Sequence, residues 1–401
     1  MNGMWHQLAC CEQDFPTQSV KSDFVPQPGE FFFSSPFRSL RTQGCFMRIQ
    51  SPAFGGENMQ GAFQQLVQRA FAKARQAGIS QPVICGAVPF DTRQPCSLFI
   101  PKETQWFARK PADTALASLL TRRVVDRRLL PEHDEFISMV SQGLQAIKHQ
   151  QVEKVVLGRI MELQTAQEID QSALMQQLLA QVPDAYHFYL PMAQGTLLGA
   201  SPELLLRKIG AQFFTTPLAG SARRSTDPQQ DQKIAESLLA SPKDNHEHQI
   251  VTDSIRRLLS AHCHQLNIPE HPQLIHTPTL WHLASQISGE VHSTDHNALS
   301  LACLLHPTPA LGGMPAQTAC ELIKCLEPFD RGLFGGLVGW CDEQGNGEWV
   351  VAIRCGLVNG RKLRLFAGAG IVAGSEPASE WQETATKLQT MLNAFGLSLE
   401  S

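Results

Sequence analysis

A small set of residues in this 401-residue chain could do chemistry together. Glu380, Glu383 and Lys387 stand at i, i+3 and i+7 within "EWQETATKL", a spacing that puts them on one strip of a helix. Such a strip is either a solvated face with an ordinary ion pair or a pair of carboxylates held for a metal ion. In "KDNHEHQIVTDSIRRLL", Glu247 recurs at helical spacing with Ile250, Val251, Ser254 and Leu258, so it faces inward and needs a partner there. An arginine would serve. So would a metal: with Glu380 and Glu383 it makes an all-oxygen set, which suits Mg2+ rather than zinc. His246 and His248 fall on other faces and are expected in solvent. Lys154 opens the apolar stretch "KVVLGR", and Glu203 lies between Pro202 and three leucines in "GASPELLL". At solvated strand ends neither has a special role. Buried, Lys154 becomes a candidate base with a lowered pKa and Glu203 a candidate acid with a raised one.

These side chains need a scaffold. The last helix, 379–395, has an apolar stripe of Trp381, Ala385, Leu388, Met391, Leu392 and Phe395. At ~100° per residue the Glu380/Glu383/Lys387 strip lies roughly 80–140° from the centre of that stripe, a boundary position. Ser379 is the expected N-cap. Further helices are expected over 60–77, 133–149, 170–182, 229–240 and 245–263. Residues 29–49 read as two strands around a turn, "PVICGAVPFD" as a short buried strand followed by a loop, "VEKVVLGRIMEL" as a strand, and 186–209 as a meander. Residues 102–130 read as a polar, irregular crossover. "GNGEWVVAIRCGLVNGRKLRLFAGAGI" reads as hairpin strands turning at Gly345-Asn346-Gly347 and Asn359-Gly360. The "FAGAGIVAG" run is G-x-G-x-x-x-G with too little chain after it for a dinucleotide-binding unit. It reads either as a glycine turn whose N–H groups suit a carboxylate or as a strand-to-helix corner. Meandering strands with irregularly interspersed helices make this α+β with antiparallel sheets.

Composition narrows the class. Hydrophobic residues make up 43% of the chain, ordinary for a soluble globular protein, and 401 residues can bury a sizeable core. The net charge of −4, without a basic run, argues against nucleic acid or an anionic membrane as partner. Eleven scattered cysteines without a C-x-x-C fit a reducing compartment, and no apolar run is long enough to span a bilayer. The N-terminus carries no signal-peptide pattern, so a cytoplasmic location is expected. Residues 1–28 are expected to be loosely ordered and 29–401 to form one domain.

"KVVLGR", "GASPELLL", "PLAGSARR", "KDNHEH", "LWHLAS", "LHPTPALGG", "EPFDRGLFGG", "WVVAIRCG", "FAGAGIVAGS" and "EWQETATKL" follow one another in the order found in the chorismate-utilising enzymes, which the chain resembles over ~135–397. "FFFSSPFRSLRTQGCF" and "GAVPFDTRQPCSLFIP" extend the resemblance toward isochorismate synthases of catecholate siderophore pathways, of the enterobactin and vibriobactin types. The resemblance implies an anthranilate synthase component I-like fold of large antiparallel sheets flanked by helices. It implies Mg2+-dependent conversion of chorismate to isochorismate, by water attack at C2 and loss of the C4 hydroxyl, to supply 2,3-dihydroxybenzoate. By family pattern, Lys154 is the base, Glu203 the acid, and Glu247, Glu383 and Glu380 the Mg2+ ligands. Gly220, Ser221, Arg354, Gly368 and Lys387 would receive carboxylates. His282, Ala310, Leu311, Phe334, Ile353 and Phe366 would line the ring pocket.

Ala219 and Lys154 depart from the patterns of the two aminating branches. Ala310, Phe334, Ile353 and Phe366 depart from that of the salicylate synthases. Gly312 is a departure from close siderophore relatives, which often carry serine there. A menaquinone-pathway isochorismate synthase, a salicylate synthase and a non-catalytic chorismate-binding protein remain the competing expectations. The expected partners are chorismate and a downstream isochorismatase, with the chain itself a monomer.

Overall fold

The computed structural model describes residues 26–27, 29–109, 123–292 and 296–397. Cys10, Cys11 and nearly all of the segment expected to be loosely ordered lie outside the described residues. One antiparallel ladder organises the chain. From one edge it runs Val124–Leu130, Lys154–Thr165, Lys362–Ile371, Cys355–Asn359, Gly195–Ser201, Tyr186–Met192, Phe32–Ser34 and Ser39–Ile49. It continues through Ser97–Phe107, Val83–Val88, Leu337–Asp342, Gly347–Val351, Leu204–Ile209, Gln212–Thr216 and Ile287–Val291 to Cys263–Asn267. The short strand Gly313–Met314 joins beside Lys154 and completes a 17-stranded sheet. A second sheet holds Leu218–Arg223, Leu280–Ala284 and Gln273–His276. The α+β expectation of large antiparallel sheets flanked by helices therefore holds.

Continuous apolar runs such as "VICGAV" are buried at every position because both faces of their strands are covered. The His133–Lys148 helix, closed by a reciprocal Glu132/Glu135 capping box, and the C-terminal helix Pro377–Ala394 pack on each other and on the strand Lys362–Ile371. Leu388, Met391, Leu392 and Phe395 seal the C-terminal helix into a cluster with Leu174 and Leu178. Arg159 pins the same helix: its guanidinium lies 3.5 Å over the Trp381 ring, and its Nε donates to Thr384 Oγ1 at 2.8 Å.

Three local expectations need correction. The N-cap of the last helix is Glu376, with Pro377 as first helical residue; Ser379 already lies inside the first turn. The crossover expected over 102–130 contains the end of one strand, Ser97–Phe107, and all of another, Val124–Leu130. The second is a largely exposed edge strand whose charges make it look like a loop. Residues 110–122 lie outside the described residues. Gly368 and Gly370 sit in the strand Lys362–Ile371 rather than in a turn or corner.

Candidate active site

Two strands and two helices carry most of the candidate chemistry. Lys154 starts the strand Lys154–Thr165, and Glu203 sits at the junction before Leu204–Ile209. Glu247 comes from the helix Pro242–Leu259, and Glu383 and Lys387 from the helix Pro377–Ala394. One cavity gathers Glu203, Gly220, Ser221, Glu247, His282, Ala310, Leu311, Phe334, Ile353, Arg354, Gly368, Glu383 and Lys387 on its walls. Val156, Pro202, Leu218, Ala219, Ala367 and Gly370 complete the lining. These were not among the expected site residues, because they contribute backbone or apolar surface that no spacing marks.

Three expected residues stand one layer back. Lys154 is fully buried, with Nζ 2.7 Å from Glu247 Oε1, an ion pair by distance whose angle is not that of a hydrogen bond. The solvated strand-end alternative for Lys154 is thereby excluded, and the inward Glu247 has a lysine rather than an arginine as its partner. Phe366 stacks behind Phe334, with centroids 5.1 Å apart and planes 12° off parallel. Glu380 is 1% exposed and accepts from Lys243 Nζ at 2.9 Å, so it is not on the boundary face its spacing suggested. His248, expected in solvent, is buried against Ser285 Oγ at 2.8 Å. His248 is buried because the helix Pro242–Leu259 packs against the small sheet, and Glu380 because Lys243 of that helix supplies it a counter-charge.

Glycines open the cleft. A Cβ on Gly370 would meet Glu247 Oε1 at 2.2 Å and Lys154 Cε at 3.0 Å, so only glycine leaves that ion pair its room. The strand Lys362–Ile371 pairs with Cys355–Asn359 only as far as Leu365. From Phe366 onward that edge is free to face the cavity, and Gly368 C=O accepts from Lys387 Nζ at 2.8 Å. Gly220, at φ +79°, lies where the register of the small sheet shifts between Leu218 and Ser221. The bulge aims Ser221 at the Glu383 carboxylate, with which it hydrogen-bonds.

Electrostatics separate the acids. Burial pushes the Glu203 carboxyl up to about 7, against the opposing pull of the Leu218 backbone and of Lys154 and Arg354. Burial also raises Glu383, but Lys387, at 2.5 Å, together with Lys243 and Ser221 outweighs it and the net shift is down. Glu380 is held above the usual range by burial and then by repulsion from Glu383. Burial drives His282 well below its ordinary value, leaving a neutral imidazole, and brings Arg354 down to about 10. Arg354 sits at φ +49°, a conformation uncommon outside glycine and frequent at functional sites. His282 Nε2 and Arg354 Nε are buried without a hydrogen-bond partner, and both residues line the cleft, so a ligand there could bond them.

Among the described residues, no three His, Cys, Asp or Glu side chains converge on one point as a metal cluster would. Each expected ligand is instead held by a lysine: Glu247 by Lys154, Glu380 by Lys243, Glu383 by Lys387. The donor chemistry nevertheless fits Mg2+. All the donors are hard oxygens, and the mutual repulsion of Glu380 and Glu383 is the kind a divalent cation relieves.

The fold and this cleft define a class. The chain belongs to the family described as chorismate binding enzyme, whose model matches residues 99–396. It is similar to the isochorismate synthase EntC of Escherichia coli, 52% identical over 375 residues, covering 92% of this chain and 95% of that one. It is also similar to the isochorismate synthase DhbC of Bacillus subtilis, 42% identical over 378 residues, covering 92% and 94%. A crystal structure of Bacillus anthracis DhbC, assigned there as a 2,3-dihydroxybenzoate-specific isochorismate synthase, superposes with a TM-score of 0.86 at 39% identity. It covers 92% of this chain and 96% of that one.

Proposed function

We propose that this cleft is where the chain, an isochorismate synthase of the siderophore-supplying type, converts chorismate to isochorismate. The observation that carries the reading is Glu203. Its carboxyl is fully buried and raised to about 7, on the wall of the cavity that the Lys154–Glu247 pair also reaches.

The reaction moves one hydroxyl. Water adds at C2, the ring double bonds shift, and the C4 hydroxyl departs. Hydroxide is a poor leaving group, so Glu203 in its protonated form gives the departing oxygen a proton and water leaves. The attacking water loses a proton to Lys154, which must be uncharged to take it; the ion pair with Glu247 is therefore the contact that has to loosen. One proton is given and one taken, so the ring is isomerised without net change, and the two side chains must exchange a proton before the next turnover. Arg354, Lys387 and the Gly220–Ser221 and Gly368 backbone bind the two substrate carboxylates, while neutral His282 and the Ala310, Leu311, Phe334 and Ile353 walls hold the ring. Glu247, Glu383 and Glu380 would hold Mg2+, which would supply charge neutralisation and orientation at the ring carboxylate.

We further read residues 29–401 as one domain, because the strands Phe32–Ser34 and Ser39–Ile49 belong to the ladder that carries the site. A monomeric, cytoplasmic enzyme passing isochorismate to an isochorismatase fits this role. The test is to incubate the purified chain with chorismate and Mg2+ and identify the product. Isochorismate is expected; unchanged chorismate would sink the reading.

A further inference from the structure

Behind the apolar wall of the cleft lies a second buried ion pair with no part in the chemistry above. The Glu327 and Arg331 side chains are 1% and 3% exposed. Arg331 Nε donates to Glu327 Oε2 at 2.8 Å and Nη2 to Oε1 at 2.5 Å. The same guanidinium also donates to backbone: Nη1 to Leu311 C=O at 2.8 Å and Nη2 to Val156 C=O at 2.7 Å. Glu327 Oε1 also accepts the Gly158 N–H at 2.7 Å. Arg331 C=O accepts the Phe334 N–H at 2.8 Å, and the guanidinium lies 4.4 Å from the Phe90 ring and 5.7 Å from the Phe334 ring.

Each of these bonds ends on the cleft or directly behind it. Val156, Leu311 and Phe334 line the cavity. Gly158 pairs across the ladder with Gly368, which receives Lys387. Gly158 is also closely packed, since a Cβ there would lie 3.1 Å from Glu327 Oε1 and 3.2 Å from Phe334 Cε1. A buried ion pair adds little net stability over a well-packed apolar replacement, because desolvating two charges offsets their attraction. What a planar, forked guanidinium does supply is direction. Here it ties three segments that are distant in sequence to one rigid centre.

We infer that Glu327 and Arg331 are positioning residues that fix the spacing between the Val156–Gly158 stretch, Leu311 and Phe334, and so set where the substrate ring lies relative to Glu203 and Lys154. This rests on the reading of the cleft as the chorismate site. Neither side chain touches the substrate; both act through the walls they hold.

The experiment uses the full chain with Mg2+ and chorismate. It compares wild type with Arg331→Lys, Glu327→Gln and Gly158→Ala, each alone and combined with Phe334→Leu. Arg331→Lys keeps the charge but loses the fork. Glu327→Gln keeps the shape but leaves Arg331 without its counter-charge. Gly158→Ala displaces the Glu327 carboxylate by a few tenths of an ångström in a fold that should otherwise survive. The expected result is a ~10- to 100-fold loss of kcat/KM per folded molecule. KM for chorismate should rise, and the losses should not add to that of Phe334→Leu, because both changes act on one wall. Folded variants with lower melting temperatures but unchanged kcat/KM would make the pair purely structural and overturn the inference alone. A wild type that leaves chorismate unchanged would overturn the reading of the cleft, and this inference with it.

Discussion

Lys154 Nζ and Glu247 Oε1 stand 2.7 Å apart, and the room for their contact comes from the missing side chain of Gly370. The lysine comes from a strand of the main sheet, the glutamate from a helix packed on the small sheet, and the glycine from the strand beside the lysine. The candidate base is thus held by a candidate metal ligand, so the two roles are coupled by geometry.

Gly370→Ala tests that coupling. The new Cβ would fall 2.2 Å from Glu247 Oε1, the mobile end of a side chain, so the chain can relieve the clash by moving the carboxylate off Lys154. Leaving the buried Lys154 without its counter-charge should lower the melting temperature, so rates are compared per folded molecule. The displaced carboxylate is also a candidate Mg2+ ligand, so the rate should fall ~10- to 100-fold, with a comparable or larger loss in Lys154→Ala. A Gly370→Ala enzyme with normal kcat would show that the ion pair is not part of the catalytic arrangement.

The Glu203 carboxyl, raised to about 7 by burial, sets a pH dependence. As a general acid it works protonated, so the limb of the rate profile that Glu203 sets should fall as pH rises through about 7. Glu203→Gln cannot donate a proton and should lose ~10²–10⁴-fold in kcat, with KM for chorismate nearly kept. Rate profiles of the two enzymes from pH 6 to 9 check this. A wild-type rate that stays flat through that range would remove the acid role from Glu203.

Metal dependence should run through Glu383. Its side chain is 23% exposed at the rim of the cleft, so Glu383→Gln should fold normally. Calorimetric titration of wild type with Mg2+ should show binding that EDTA reverses, and the variant should bind at least ~10-fold more weakly and turn over little substrate. Because Lys243 and Lys387 neutralise the acids of this helix in the described state, replacing Lys243 by methionine should alter Mg2+ affinity without changing the fold. Equal Mg2+ affinity in wild type and Glu383→Gln would move the metal elsewhere.

Acid should unfold this protein partly through His187, which takes no part in the cleft chemistry. Burial, and then the Arg109 charge beside it, hold its imidazole down to about 3; Arg109 Nη2 donates to Nδ1 at 3.1 Å, and Nε2–H donates to Leu178 C=O at 3.3 Å. Unfolded histidine titrates near ~6.5. Between those values the unfolded chain binds a proton that the folded one does not, so this contribution is complete above ~6.5 and is lost as pH falls toward 3. At pH ~5 the loss from this one group is about 2 kcal/mol. Denaturant melts at pH 7 and 5 should show a smaller difference in His187→Gln than in wild type.

Local periodicity made the helices and most strands legible, and ordered motifs made the cleft legible as a set of names. Burial was not legible in the same way. Lys154 looks like a solvated strand end until Gly313–Met314 and the helix Pro242–Leu259 close over it. Glu380 looks like a boundary residue until Lys243 supplies a charge for it to be buried against. The strand Val124–Leu130 looks like a loop because an exposed edge strand carries charge. Lys243, Glu327 and Arg331 were missed, although a signal for each was present. Lys243 opens the motif that contains Glu247, and Glu327 and Arg331 stand at i, i+4 with opposite charges.

The product should be isochorismate, with the enolpyruvyl group retained on the ring. Releasing pyruvate requires the C2 hydrogen to move and the C3–oxygen bond to break, so a pocket that favours it must orient the enolpyruvyl arm and stabilise charge on that side. Here the wall is apolar: Ala310, Leu311, Phe334 and Ile353 line it, and Phe366 stacks on Phe334 at 5.1 Å to keep that ring in place. None of these side chains offers a hydrogen-bond donor or acceptor. Chorismate turnover followed by liquid chromatography, with pyruvate read by lactate dehydrogenase coupling, should give isochorismate and little pyruvate at neutral pH. Ala310→Thr combined with Phe334→Tyr adds two hydroxyls to the wall and should raise the pyruvate share while lowering total turnover. One pyruvate released per chorismate by the wild type would show that this wall does not protect the enolpyruvyl bond, and the chain would then be a salicylate-forming enzyme.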